Sequence, residues 1–181
     1  LPAHRGLAGG RLDVAVTSAG DYFFPQLMMA FARRHPGVKL NLTVHNREEL
    51  LEQLADNRTD LAVMVRPPVQ DTQNDAFAPH PYVIVAAPQH PLAAPGHGPI
   101  SLRDLVRHPF VVRERGSDTW HSMEDAFGPR LDELQVAMEI KSTETIKQAV
   151  IAGMGLGFLS AHTIGREVAA GSLVVVPAGR V

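Results

Sequence analysis

Four places in this chain could present backbone hydrogen-bond donors to a ligand. In each, an apolar strand-like run ends in a small polar residue and a helix-like pattern begins: LDVAVTSAGDYF, LNLTVHNREELL, FVVRERGSDTWHSM and VAMEIKSTETIKQAV. Thr17 or Ser18, Asn46, Ser117 or Asp118, and Ser142 are the side chains able to cap those helices. The first turn of a helix carries unbonded N–H groups and the positive end of the dipole, so such junctions attract anions. In an open α/β sheet the loops that follow several strands fall on one edge, where together they can hold a small ligand. That chemistry is binding. Catalysis would need a nucleophile or an acid–base pair, and these junctions offer hydroxyls and arginines instead.

Around those junctions stand the candidate contacts. Thr17, Ser18 and Ala19 follow the first strand, and the hydroxyls could meet a ligand or simply cap a helix. Asn46 and Arg47 follow the second; Asn46 can cap and still face a ligand, and Arg47 is either a contact or a solvated charge. Arg66, before Pro67, could clamp a carboxylate or phosphate, or serve a structural ion pair. Arg113, Gly116, Ser117 and Thr119 surround the third junction. Ser142 reads as a cap, and Glu144 is favoured by the helix dipole alone. Gly153, Gly155 and Gly157 mimic a dinucleotide fingerprint in the wrong order, since they leave a helix and enter a strand; they read as a helix stop and a tight backbone passage. The nine histidines include His35, His80, His90 and His108 directly before prolines, and no pair has metal-ligand spacing, so no metal or cofactor is expected.

The elements that must position these residues are legible from periodicity. Strands are expected at Leu12–Val16, Val38–Val44, Asp60–Val65, Tyr82–Ala87, Phe110–Arg113, Val136–Ile140, Leu156–Leu159 and Leu173–Val176. Helices are expected from about Asp21 to His35, with Phe24, Leu27, Met28 and Phe31 as one apolar stripe, then after Asn46, after Ser101, over Thr119–Phe127, after Ser142 and over Ile164–Ala170. Asn46 with Glu49 forms a capping-box pattern. Repeated strand-then-helix units imply an α/β fold with mostly parallel sheets. Pro-rich stretches flank Tyr82, so the expected domains are residues 1–83 plus 161–181, and residues 84–160, with Val83 and Ser160 as hinges at two crossings.

The chain has 181 residues, 45% hydrophobic and 20% charged, with net charge −2, so no global basic field argues for nucleic acid. The absence of cysteine excludes disulfides and thiolate metal sites. No apolar stretch reaches the roughly 18 residues of a membrane span. LPAHRGLAGG reads as a linker, as if the chain were a piece of a longer protein.

In order and spacing, the segments GGRLDVAVTSAGDYFFPQLMMAFARRHPGVKLNLTV, NREELLEQLADNRTDLAVMVRPP, HPYVIVAAPQHPLA, FVVRERGSDT, STETIKQAVIAGMGLGFLS and EVAAGSLVVV resemble the effector-binding domain of LysR-type transcriptional regulators. NREE, RPP and IKQAVIAGMG look most like the branch that controls Calvin-cycle (RuBisCO) operons. The resemblance implies a type II periplasmic-binding-protein-like fold, with two Rossmann-like lobes joined by two crossover strands and a metabolite in the cleft between them. It implies a first lobe incomplete at its C-terminus, and a winged helix-turn-helix outside this chain through which alone DNA is bound. The implied ligand is a phosphorylated sugar, a small organic acid or a nicotinamide nucleotide. The implied assembly is a cytoplasmic homodimer or tetramer without enzymatic activity. Relatives often carry a basic residue after the threonine matching Thr119, where this chain has Trp120, free to stack on a ligand ring, to close the cleft or to pack as an ordinary aromatic. The competing reading is a periplasmic solute-binding protein of the same fold.

Overall fold

The computed structural model describes residues 9–18, 20–68, 72–96 and 98–179, so Ala19 lies outside the described residues. The chain divides into two compact units between Ala76 and Phe77.

In the first unit, β1 (Gly10–Thr17), α1 (Phe24–Arg34), β2 (Val38–His45), α2 (Arg47–Ala55) and β3 (Leu61–Val63) alternate, and the strands form a wholly parallel sheet in the order β2-β1-β3. Alternation along β1 puts Leu12, Val14 and Val16 in one cluster with Phe24, Met28, Leu42 and Val63. Leu27 stands outside that stripe, 49% exposed. The helix starts later than periodicity predicts, because Gly20–Tyr22 form a 3-10 turn and Pro25, which lacks an N–H, suits only the first turn of α1. Strand β3 is shorter than expected and its Leu61 is exposed, since β3 lies at the edge of the described sheet.

The second unit carries β4 (Tyr82–Ala86), α3 (Leu102–Leu105), β5 (Pro109–Arg113), α4 (Asp118–Phe127), β6 (Gln135–Ile140), α5 (Thr143–Ile151), β7 (Leu156–Ser160), α6 (Gly165–Ala169) and β8 (Val174–Val176). Its five strands run in the order β6-β5-β7-β4-β8. β5 is parallel to β6 and β7, whereas β4 is antiparallel to both β7 and β8. Residues of one parity, with Ile84, Phe110, Val112, Leu156 and Phe158 among them, pack with Trp120, Met123 and Phe127 of α4. The opposite parity, with Val85, Val111 and Leu159, packs with Ile146, Ala149 and Val150 of α5 and with Ile164 and Leu173. Helices on both faces make the sheet doubly wound. The strand–helix–strand–helix–strand run from β5 to β7, ordered β6-β5-β7, repeats the winding of the first unit, although the sequence shows no repeat.

The expected domain allocation is corrected here. Residues 161–179 stay in the second unit: Ala161 N–H donates to Pro81 O, β8 pairs with β4, and Gly179 N–H donates to Ile100 O. The physical reason is the free edge of β4, whose backbone groups need a partner that only a later strand supplies. Val83 and Ser160 consequently sit on neighbouring strands of one sheet (Val83 opposite Leu159, Tyr82 opposite Ser160) and not at the boundary of the units.

Between α5 and β7 the three glycines do different work. Gly153 takes φ +86° as the helix ends. Gly155, at φ +156°, passes so close to β5 that a Cβ there would lie 2.4 Å from Pro109 O. Gly157 leaves room for methyl groups of Val85 and Val150.

Candidate functional site

Parallel pairing places the C-terminal ends of β1, β2 and β3 on one edge of the first sheet, with Thr17 opposite His45. This edge therefore gathers Thr17, Ser18, Asn46 and Arg47, and the chain leaving β3 there carries Arg66 and the exposed Pro67. Asn46 closes its capping box: Glu49 N–H donates to Asn46 Oδ1 at 2.9 Å, and Asn46 N–H donates to Glu49 Oε2 at 3.1 Å. Neither Thr17 nor Ser18 caps α1. Its N-cap is Phe23, which makes no side-chain bond, because the 3-10 turn intervenes. Thr17, the last residue of β1, is only 4% exposed.

The second sheet presents a comparable edge at the ends of β5, β6 and β7. Ser117 caps α4 by accepting from Trp120 N–H at 3.1 Å, and Ser142 caps α5 by accepting from Thr145 N–H at 3.2 Å. The polar residues buried in this unit are Arg113, Glu114, Ser117, Asp118, Thr119, Thr143, Lys147, Ser160 and Thr163; all sit at or just beyond the strand ends, save Lys147, one turn into α5. Thr119, in the first turn of α4, is 6% exposed. Gly116 is buried in the loop between β5 and α4.

Arg113 does not stand ready as a ligand clamp. Its Nε and Nη2 donate to Glu114 Oε2 and Oε1 at 2.8 and 2.9 Å, and its Nη1 donates to Thr143 Oγ1 at 3.0 Å. Glu114 was missing from the residues that the sequence singles out, and Thr143 stood out only as opening a helix beside Ser142 and Glu144. A carboxylate directly after the last strand residue was the one available signal for Glu114. Trp120 is a packed aromatic: it is buried among the α4 cluster, its Nε1 donates to Glu124 Oε1 at 2.8 Å, and the Arg115 guanidinium lies 5.1 Å from its ring centre. Burial pushes the Glu124 carboxyl up, but the bonds from Trp120 and His121 outweigh it and hold the group below its ordinary value.

Lys147 is buried on α5, donating to Thr163 O at 2.9 Å and pairing with Glu144 and Glu167, each at 2.8 Å. Close to Ser160, the His80 and His162 rings lie 5.1 Å apart; burial, and then His162, push His80 down to about 4. A separate open pocket of about 380 Å³, lined by Gln89, His90, Ile151 and Gly153 among others, lies at the opposite end of the strands, away from the capped helices. Among the described residues no cluster of three or more metal-ligating side chains occurs, and no helix is long and apolar enough to cross a membrane.

The profile of the LysR substrate binding domain matches residues 5–180. The HTH-type transcriptional regulator CbbR of Sinorhizobium medicae (strain WSM419) is 46% identical over 178 residues, covering 97% of this chain and 56% of the regulator. The RuBisCO operon transcriptional regulator of Allochromatium vinosum is 41% identical over 177 residues, covering 97% of this chain and 58% of that protein. The Synechocystis PCC6803 CcmR regulatory domain in complex with 2-PG superposes with a TM-score of 0.86 at 34% identity, covering 93% of this chain and 81% of that one. The chain thus spans a little over half the length of the two regulators. These likenesses carry the type II periplasmic-binding-protein-like fold, and the chain belongs to the LysR substrate binding domain family.

Proposed function

We propose that this chain is the ligand-sensing part of a LysR-type regulator of carbon-fixation genes, and that it binds a small anionic metabolite without transforming it. The observation that carries the reading is the pair of buried threonines, Thr17 and Thr119, each set at a strand-end edge beside helix N-termini. Backbone N–H groups, hydroxyls and Ser, Asn and Arg side chains suit an anion and supply no nucleophile–base pair. Thr17, Ser18, Asn46, Arg47, Arg66, Pro67, Gly116, Ser117 and Thr119 are the contacts we assign, with Ala19 beside them in sequence. The ligand class is a phosphorylated sugar, a small organic acid or a nicotinamide nucleotide; the CcmR neighbour carries 2-PG.

In the whole protein, ligand affinity that differs between two conformations would shift their populations and alter DNA binding by a domain outside this chain. A cytoplasmic homodimer, built isologously, is the assembly proposed. Regulators, rather than transporters' solute-binding proteins, are the relatives at over 40% identity, which disfavours the periplasmic alternative.

Thermal shift tests the reading, with 2-PG, ribulose bisphosphate, phosphoglycerate and NADPH as probes. A ligand at a hundredfold excess over its dissociation constant stabilises the chain by about 2.7 kcal/mol. The shift is expected to shrink in Thr17→Val and in Thr119→Val. Full retention in both overturns the site assignment, and turnover of any probe overturns the non-catalytic reading.

A further inference from the structure

Arg113 and Glu114 are adjacent in sequence yet form a two-point ion pair, at 2.8 and 2.9 Å, with 3% and 6% of each residue exposed. Side chains of consecutive strand residues point to opposite faces. The pair exists because β5 ends at Arg113, so that Glu114 begins the loop and can turn its carboxylate back. Both partners also reach outward. The third guanidinium nitrogen of Arg113 donates to Thr143 Oγ1 in the first turn of α5. The backbone carbonyl of Glu114 accepts from Ser117 Oγ at 2.7 Å and from Ser117 N–H at 3.1 Å. Ser117 Oγ in turn accepts from Trp120 N–H in the first turn of α4. One continuous chain of buried hydrogen bonds therefore runs from the N-terminus of α5 through Arg113 and Glu114 to the N-terminus of α4.

Buried ion pairs add little net stability, because desolvation offsets the attraction; their best-attested gain is a defined geometry. Left unpaired, the Glu114 carboxylate would also stand where an anionic ligand is expected and repel it. We propose that Arg113 and Glu114 form a positioning brace that fixes the spacing of the α4 and α5 N-termini and thereby sets which size of anion the edge accepts. Arg113 acts through the two helices and is not itself a ligand contact. The selectivity half of this inference rests on the ligand-sensing reading above; the brace itself does not.

The test uses the whole chain and three conservative variants, Thr143→Val, Glu114→Gln and Arg113→Lys. Amide hydrogen exchange reads the first turns of both helices, and calorimetry reads the affinities for 2-PG and ribulose bisphosphate. A brace predicts faster exchange in the first turns of α4 and α5 together in every variant, including Thr143→Val, whose replaced side chain lies on α5 alone. It predicts a drop of about tenfold in 2-PG affinity, the size expected for one hydrogen bond to a charged group. It also predicts a changed ratio between the two ligands, which a uniform loss of stability would leave untouched. The double variant Glu114→Gln/Thr143→Val should be no worse than the weaker single one. Tighter anion binding in Glu114→Gln would mean that Arg113 is a ligand held back by Glu114, and overturns the proposal. So does unchanged exchange at α4 in Thr143→Val. If the unaltered chain binds no probe while the exchange changes appear, the ligand reading fails and the brace stands.

Discussion

Replacing Gly155 by alanine should damage the second unit far more than the same change at Gly153 or Gly157. At Gly155 a methyl group would sit 2.4 Å from Pro109 O and 2.9 Å from its carbonyl carbon, on a backbone with φ +156°. Neither atom belongs to a flexible side chain, so the two parallel strands β5 and β7, joined at Phe110 and Leu156, must part. Backbone strain of about 1–3 kcal/mol adds to the loss of that pairing, for a total of roughly 4 kcal/mol or more. At Gly157 the new methyl would stand 3.0 Å from one methyl each of Val85 and Val150, an overpacking that costs about 1–3 kcal/mol. At Gly153 the space is open and only the φ of +86° resists, at about 1–2 kcal/mol. Urea unfolding followed by fluorescence isolates the effect, because Trp120 is the single tryptophan and lies in this unit. The expected order of midpoints is unaltered chain, Gly153→Ala, Gly157→Ala, Gly155→Ala, at a constant denaturant slope. A Gly155→Ala chain as stable as Gly153→Ala would refute the close passage of β7 over the start of β5.

Lys147→Met strands the Glu167 carboxylate and should cost about 3 kcal/mol by urea unfolding, with much of the loss recovered in Lys147→Met/Glu167→Gln. Because His80 is held at about 4, down from 6.5, the folded state favours its neutral ring; stability is fully present above pH 6.5 and declines as pH falls toward 4. The full shift corresponds to about 3 kcal/mol; solvent screening of the half-exposed ring reduces the expected decline to about 1–2 kcal/mol. Urea midpoints measured across that range should flatten in His80→Phe. On α1, Leu27 is 49% exposed, so if its flank meets a second copy, Leu27→Glu should shift sedimentation toward the monomer and leave ligand affinity unchanged; an unaltered dimer excludes the flank.

What could be read in the sequence was mostly local. The Asn46–Glu49 box and the Ser117 and Ser142 caps depend on residues three apart, and each capped the helix it was assigned to. Strand parity placed Val14 and Val16 in a core, and the four-residue helical spacing placed Ile146 and Val150, for the same reason. Apart from the start and cap of α1, the misreadings concern long-range choices. Whether Leu173–Val176 served the first unit or the second depended on which strand edge lay open, and β4 offered one. Thr143 lies thirty residues from Arg113, and nothing local in either position announces their bond. Trp120 looked available to a ligand until the packing of α4 assigned it to the core. The late start of α1 was foreseeable from Pro25.

The cores of the two units are unequal. Among the described residues the first sheet has one small apolar cluster, built from Val14, Val16, Phe24 and Val63, with Leu50 of α2 buried apart from it, whereas the second carries a larger cluster on each face. Local opening follows the thinner packing, so the loops bearing Thr17 and Asn46 should fray sooner than those bearing Ser117 and Thr119. A ligand gripping the softer half must immobilise it, and that ordering entropy is subtracted from affinity. On the proposed function, substitutions that stiffen the first sheet at a distance from every assigned contact should therefore tighten binding, which would make sensitivity to metabolite concentration tunable without touching the residues proposed to recognise it.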